Sequence, residues 1–283
     1  MYKKLIYSLI VAATILVACD PDEDRDTLSG AITADDLNIS ATSQVVDGKN
    51  SNNIELNSDG VGCLTSWDYG NGVTTSTHTT VKVVLKGADD ILFTGLNHDG
   101  TYITKTLTVQ VDTLIDVPEE WGLLCGSGEK TWVWDDTQPP ASDGSPAVWG
   151  NGGYEGNTSP SWWIVGLDAM EDQAPGEGAG AEMVFSVKGS SLTKNLSDGS
   201  SVTGSFSFDM SDQTLDAAGN VWAKGKLTTK NVTMLAGFVI NDNTPAYEYD
   251  ILSLDENSLV LSVPRAGATS WGEATFWMFK AAD

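Results

Sequence analysis

Short apolar runs recur along most of the chain, with turn residues between them. Seven examples of seven to nine residues lie at 79–87, 104–111, 181–189, 202–210, 221–229, 258–264 and 274–280. In "VTGSFSFDM" (202–210), Phe206, Phe208 and Met210 occupy every second position, which predicts an antiparallel strand with one face in water. Almost no segment has helical periodicity. The pattern therefore predicts an all-β protein, built as β-sandwiches or a barrel-like jelly roll.

The first apolar run differs from the others because a basic start, Lys3 and Lys4, precedes it. Residues 5–18 are 14 mostly apolar residues, and they would span about 21 Å as a helix. A helix that crosses the bilayer core needs about 20 apolar residues. Residues 1–18 are therefore predicted to be a secretory signal peptide and not a membrane anchor.

The C-terminal end of this run, "LVAC" (16–19), resembles the lipobox of bacterial lipoproteins. This resemblance implies that Cys19 becomes the lipidated first residue of the mature protein, in the outer membrane. An ordinary signal peptide followed by a buried or paired cysteine is the alternative. Residues 19–36 are predicted to be an acidic tether. Four acids directly after the cysteine resemble the surface-export signal of Bacteroidetes lipoproteins, which implies the extracellular face: Asp20, Asp22, Glu23 and Asp24.

Charge and cysteine content narrow the function classes. Removal of residues 1–18 takes away two of the 15 basic residues and none of the 39 acidic ones, so the formal net charge changes from −24 to −26. Such a surface repels nucleic acid and anionic lipid, and it is compatible with neutral sugars or cations. After lipidation only Cys63 and Cys125 remain, either as a disulfide or as two free, buried thiols.

Tryptophan usage divides the mature chain into two predicted β domains. Residues 37–115 contain one of the ten tryptophans, and residues 121–283 contain the other nine. The segment "DVPEEWG" (116–122) combines a proline, acids and the first tryptophan of the second region, so it is predicted to hold the boundary.

The first domain contains "WDYGNG" (67–72) and "NHDGTYITKTLTVQV" (97–111). These segments resemble the signature of PKD domains, which are small Ig-like sandwiches. The resemblance implies a spacer and makes Trp67 the expected core tryptophan. The local chemistry supports the turn, because Gly70 and Gly72 permit positive φ and Asp68 can close an Asx-turn.

The second domain contains "LLCGSGEKTWVWDD" (123–136) and "VWGNGGYEGNTSPSWWIVGLDAMED" (148–172). It resembles the C-terminal β-sandwich of Bacteroidetes surface lipoproteins that accompany Sus-type importers. Those domains are similar to carbohydrate-binding modules, with a jelly-roll-like sandwich. The resemblance implies glycan capture for an importer.

The densest mixture of aromatic and polar residues lies in the glycine-rich loop at 148–163. Aromatic rings provide flat apolar platforms for pyranose rings, while amides and carboxylates bond hydroxyls. We expect the platform to consist of Trp149, Tyr154 and either Trp162 or Trp163, with Asn151 and Glu155 bonding hydroxyls. A role as core plugs is the alternative for Trp149 and Tyr154. The remaining pairs of the region, Trp132 with Trp134 and Trp271 with Trp277, are expected to be structural.

No catalytic motif supports an enzyme. His78 and His98 stand outside any motif, and no nucleophile elbow, HExxH or phosphate loop occurs. No cofactor is expected. Neither the acidic loop 168–182 nor the segment 255–258 matches the spaced EF-hand pattern that would support a structural calcium. The leading hypothesis is a non-catalytic surface lipoprotein that captures glycan for a Sus-type importer. The alternative is a structural accessory subunit of such an importer, for glycan or peptide, without a ligand of its own; a sandwich glycosidase ranks last.

Overall fold

The computed structural model describes residues 31–282. Within these residues strands account for 50% and helices for 8%, so the predicted all-β class is confirmed. The predicted signal peptide, Cys19 and the four acids that follow it lie outside the described residues. No helix within residues 31–282 is long and apolar enough to cross a membrane.

The first seven strands form two antiparallel sheets that share a hydrophobic core. The strands are β1 (Ser40–Val46), β2 (Lys49–Asn57), β3 (Leu64–Asp68), β4 (Val73–Thr74), β5 (His78–Lys82), β6 (Gly87–Leu96) and β7 (Tyr102–Val111). One sheet has the order β1-β2-β5 and the other the order β4-β3-β6-β7. Trp67 of β3 is fully buried and packs edge-on against Phe93 at 4.9 Å. The prediction that Trp67 is a core residue is confirmed.

The turn after β3 has the predicted positive φ at Gly70 but not at Gly72. Gly70 has φ +83°, and its N–H donates to Asp68 Oδ1 at 3.0 Å. Without a Cβ, glycine adopts this left-handed conformation at no steric cost. The turn also contacts the second part of the chain, because the Gly189 N–H donates to the Gly70 carbonyl at 2.9 Å.

Residues 117–282 contain two short α-helices, two 3₁₀-helices (Leu167–Ala169 and Lys188–Ser190) and fourteen strands. The α-helices are α1 (Glu120–Cys125) and α2 (Met170–Gln173). Eight strands close into a barrel: β8 (Glu129–Trp134), β11 (Glu182–Ser186), β12 (Ser191–Asn195), β13 (Ser201–Asp209), β16 (Gly225–Lys230), β19 (Glu248–Leu254), β20 (Ser258–Pro264) and β21 (Glu273–Ala281). The other six lie in excursions from it: β9 (Ala147–Gly153), β10 (Trp163–Gly166), β14 (Thr214–Leu215), β15 (Val221–Ala223), β17 (Phe238–Val239) and β18 (Thr244–Pro245).

The barrel differs from the expected jelly-roll-like sandwich. Each barrel strand pairs antiparallel with the next barrel strand along the chain, and β21 returns to β8. Closure depends on the nine-residue length of β21. Its first half pairs with β9, and its second half pairs with β8. A closed sheet has no free edges, which removes the need for a second covering sheet.

The barrel interior is a packed core and not a ligand cavity. Trp132, Trp277 and Tyr249 are fully buried, and Trp134 is nearly so. The Trp277 indole N–H donates to the Ala236 carbonyl at 3.1 Å, which fastens the excursion between β16 and β19 to the barrel. The core positions expected for Trp132, Trp134 and Trp277 are confirmed. Trp271 was also expected to be a structural residue, but its side chain is 60% exposed and therefore does not belong to the core.

The acidic segment 168–182 is fastened to the barrel at two points. Met170 of α2 is fully buried. Glu177 forms a 2.7 Å ion pair with Lys194 of β12, and both side chains are largely shielded from solvent. This acidic segment is therefore held against the barrel through Met170 and Glu177. A buried charge needs a partner of opposite sign, and Lys194 is that partner.

The two cysteines described are free thiols. Cys63 is half-buried beside the core of the first seven strands, whereas Cys125 is fully buried in α1. Burial raises the pKa of Cys125 to about 12, so this thiol stays protonated and unreactive near neutral pH.

Candidate functional site

A pocket of about 510 Å³ lies between two excursions from the barrel. One excursion contains β9, β10 and α2, and the other contains β17 and β18. The lining combines three aromatic side chains, one aliphatic side chain and four amides: Trp149, Trp163, Phe238, Ile240, Asn151, Gln173, Asn241 and Asn243. None of these side chains carries a charge.

The aromatic wall has a buried member and an accessible one. Trp149 is only 1% exposed, and its ring packs edge-on against Trp163 at 5.7 Å and against Phe238 at 5.0 Å. Trp163 is 42% exposed. Edge-to-face pairs of this kind have a preferred geometry, so Trp149 orients the other two rings. Trp163 provides the surface that a ligand can reach.

Asn151 connects the two strands beneath the pocket. Its side-chain oxygen accepts the Trp163 backbone N–H at 2.9 Å, and its amide donates to Glu273 Oε1 at 2.7 Å. Asn241 from the opposite excursion donates to the same carboxylate oxygen. Asn151 thus positions Trp163 and Glu273 in addition to lining the pocket, and its buried polar atoms are satisfied.

A charged cluster borders the pocket on the Glu273 side. Arg265 lies 2.7 Å from Asp242 and 3.5 Å from Glu273, so two carboxylates neutralise its charge. The hydrogen bond from Arg265 holds the pKa of Asp242 below its usual range. These residues line a second, smaller depression next to the pocket. The cluster offers hydroxyl-bonding groups without a free positive charge for an anionic ligand.

The excursion between β16 and β19 has an unusual backbone where it meets the pocket. Asn241 and Asn243 both have positive φ, at +66° and +51°. Asparagine tolerates this conformation better than most residues. The segment "GFVINDNT" (237–244) supplies Phe238, Ile240 and both asparagines to the pocket. Sequence reasoning missed these residues, although an aromatic next to an amide-rich turn is the same signal that selected the loop at 148–163.

The structure brings together three of the six predicted ligand residues in one pocket, namely Trp149, Asn151 and Trp163. Trp162 is 54% exposed, adjoins them in the chain and does not line the pocket. Both members of the Trp162–Trp163 pair are therefore exposed, whereas the alternation of a strand suggested one buried and one exposed. Trp162 precedes β10 and Trp163 is the first residue of this strand, so the alternation of a strand does not apply to the pair.

Tyr154 and Glu155 lie away from the pocket. Tyr154 packs edge-on against Trp222 at 5.0 Å, in a separate cluster on the outside of the barrel. Burial raises the pKa of its hydroxyl. Glu155 has φ +56° in the turn that follows and is half-buried. The environment of Tyr154 is that of the core-plug alternative.

The carboxylates do not assemble a metal site in the described part of the chain. Residues 31–282 contain no group of three or more His, Cys, Asp or Glu side chains arranged to hold a metal ion. Within the segment at 255–258, Asp255 Oδ1 accepts the backbone N–H groups of Asn257 and Ser258, both at 2.8 Å, and so closes the β19–β20 turn. The chemistry that the pocket offers is stacking and neutral hydrogen bonding.

Comparison of the chain with protein-family models and with curated proteins gives no match. The geometry and composition of the pocket are therefore the main basis for assigning a function, beside the motif resemblances.

Proposed function

We propose that this protein is a non-catalytic cell-surface lipoprotein that captures glycan for a Sus-type outer-membrane importer. The observation that carries the proposal is the pocket lining of three aromatic and four amide side chains without a charged one. Aromatic faces stack on the C–H face of a pyranose ring, and amides both donate to and accept from hydroxyls. A neutral sugar needs both kinds of group and no countercharge.

The charged cluster at the pocket edge supports capture without hydrolysis. A glycosidase needs a carboxylic acid with a raised pKa to protonate the leaving group. Arg265 has the opposite effect on Asp242, because its hydrogen bond lowers the pKa of that carboxyl. Arg265 also bonds Glu273, so both acids near the pocket have a structural partner.

The first seven strands fit a role as a spacer. Their sheets, β1-β2-β5 and β4-β3-β6-β7, have the strand order of a small Ig-like sandwich, with a buried tryptophan on the third strand. We assign this region to a PKD-like domain between the tether and the barrel. The barrel takes the place of the carbohydrate-binding-module-like domain of the importer lipoproteins.

The function is tested with a panel of polysaccharides in affinity gels, beside chromatography of the incubated glycans for released products. Retardation by at least one neutral glycan, without hydrolysis products, is the expected result. A chain that is retarded by none of the panel would contradict glycan capture. A chain that releases reducing sugar would contradict the non-catalytic role.

Lipidation of Cys19 is tested by Cys19→Ala. The substitution removes the only thiol at the predicted cleavage site, so we expect the protein to leave the membrane fraction or to keep its signal peptide. Radiolabelled fatty acid followed by gel electrophoresis measures the attached lipid. Cys19→Ser is the matched control, because it also lacks the thiol and should fail in the same way. Unchanged lipid labelling in either variant would exclude Cys19 as the anchor.

Surface export is tested by alanine replacement of the four acids that follow Cys19. Lipid labelling should be unchanged, because the lipobox is intact. Access of extracellular protease on whole cells should fall, since the export signal is gone. A variant with asparagine replaced by alanine at Asn50 and Asn53 of β2 controls for changes elsewhere in the chain. Equal protease access in the acid-free variant and the parent would refute the extracellular location.

An accessory role without a glycan ligand is the second candidate, and one observation favours it. Trp162, Trp163 and Ile164 are consecutive and all exposed, at 54%, 42% and 37%. Exposed apolar side chains in contiguous patches mark protein interaction sites. Copurification with importer subunits, together with failure of the glycan panel, would select this candidate.

A further inference from the structure

Trp271 is an exposed tryptophan in a strained backbone conformation beside the pocket. It lies between β20 and β21, is 60% exposed and has φ +62°. Positive φ is unfavourable for a bulky side chain, and such residues occur where the surroundings hold them in place. Here the Trp271 N–H donates to the Tyr154 carbonyl at 2.8 Å, and the Tyr154 N–H donates to the Gly272 carbonyl at 2.7 Å. This pair of bonds fixes the loop against the turn after β9.

The Trp271 ring packs against the backbone of two glycines. A Cβ at Gly153 would stand 2.7 Å from the indole Cε3, and a Cβ at Gly156 would stand 2.7–2.8 Å from Cε2, Cδ2 and Cζ2. The three nearly equal distances indicate that Gly156 faces the plane of the ring. Only glycine allows so close an approach. One face of the indole thus rests on backbone, and the side chain as a whole stays exposed.

The ring lies on the same face of β9 as the pocket. Alternate residues of a strand project to one face, so Trp149 and Asn151, which line the pocket, share their face with Gly153. Gly153 pairs directly with Glu273, the residue that accepts the Asn151 amide. Since a Cβ on Gly153 would meet Trp271, the indole lies on this face too. Gly153, the strand residue nearest to the indole, lies about 7 Å from Asn151, which is the rise of two strand residues.

We propose that Trp271 is a second aromatic platform of the glycan site, so that the protein binds a neutral oligosaccharide across the pocket and Trp271. This inference rests on the proposed glycan function. Trp163 stacks on one sugar unit, and the exposed face of Trp271 stacks on another. Glu273 pairs with Gly153 on the same face, where it accepts from hydroxyls of the sugar units between the two platforms. Arg265 is neutralised by Asp242 and Glu273, which disfavours uronic acid or sulfated units.

The test measures affinity against chain length by titration calorimetry with the full chain in detergent. The probes are the glycan retained in the affinity gels and its oligosaccharides of one to six sugar units. In the parent, affinity should rise with length until the ligand reaches both platforms. Trp271→Ala should lower the affinity for the long oligosaccharides about thirtyfold, the effect of losing a binding hot spot. Its affinity for the single sugar should stay within about twofold of the parent, because Trp163 still holds that unit.

Two control variants separate binding from folding. Trp271→Gly suits the positive φ, so it should melt no earlier than Trp271→Ala and should show the same loss of long ligands. Tyr102→Ala removes a 69% exposed aromatic of the first sheets and should bind like the parent. Unchanged affinity of Trp271→Ala for long oligosaccharides would overturn the second platform, and so would an equal loss for single sugars. A parent that binds no probe of any length would instead overturn the glycan function itself.

Discussion

Trp163→Ala is expected to lower glycan affinity about thirtyfold, which is about 2 kcal/mol of binding free energy. Trp163 is the accessible ring of the pocket at 42% exposure, so its removal deletes the stacking surface. The backbone N–H that bonds Asn151 is retained in alanine. The free energy of unfolding should therefore change by only about 1 kcal/mol. Retardation in affinity gels and thermal unfolding, measured on the same preparation, report the two quantities separately.

Trp162→Ala is the matched control for this substitution. The two tryptophans are neighbours in the chain, and Trp162 is the more exposed at 54%, but it does not line the pocket. It should keep both its melting temperature and its glycan retardation. If Trp163→Ala is retarded as strongly as the parent, or if only Trp162→Ala loses binding, the pocket is not the glycan site.

Trp149→Ala is expected to destabilise the barrel region by about 3–5 kcal/mol, the usual cost of deleting a buried aromatic side chain. Trp149 is 1% exposed within the main hydrophobic cluster, and it supports both Trp163 and Phe238. A loss of this size should lower the melting temperature by about 10 °C. Glycan binding should also weaken, because the two rings that Trp149 orients would lose their support. Differential scanning calorimetry measures the first effect.

Trp149→Phe is the matched control for the packing role. It keeps an aromatic ring against its two neighbours, and it removes an indole N–H that has no hydrogen-bond partner within residues 31–282. An unpaired buried donor is unfavourable, so its loss offsets part of the packing cost. The phenylalanine variant should therefore melt between the alanine variant and the parent. If Trp149→Ala melts with the parent, Trp149 is not a core plug.

Some features were predictable from residues that are close in the chain. The all-β class follows from apolar alternation and turn residues, and both are local properties. The Asx-turn at Asp68 and Gly70 needs only a carboxylate two residues before a flexible backbone position. The burial of Trp67 was expected because it is the tryptophan of an Ig-like motif. The glycine-rich loop at 148–163 was selected for its composition, and it does supply part of the pocket.

The pairing of the strands could not be predicted from such local signals. Whether β21 closes onto β8 depends on the length and register of a strand that pairs with both β8 and β9, which lie 120 residues or more earlier in the chain. A jelly roll and an up-and-down barrel contain similar strands and turns, so their local patterns do not distinguish them. The closed barrel was therefore decided by long-range hydrogen bonding.

The separate roles of the aromatic residues were also decided by tertiary structure. Composition identified Trp149, Tyr154 and Trp163 as one group, but the two faces of β9 meet different surroundings. Trp149 faces the main core beside the pocket, whereas Tyr154 packs with Trp222 on the outer cluster. Glu273 joins the site from a distant strand. Local composition thus identified which side chains were available for a ligand. The packing of the excursions against the barrel decided which of them a ligand can reach, because exposure depends on neighbours far away in the chain.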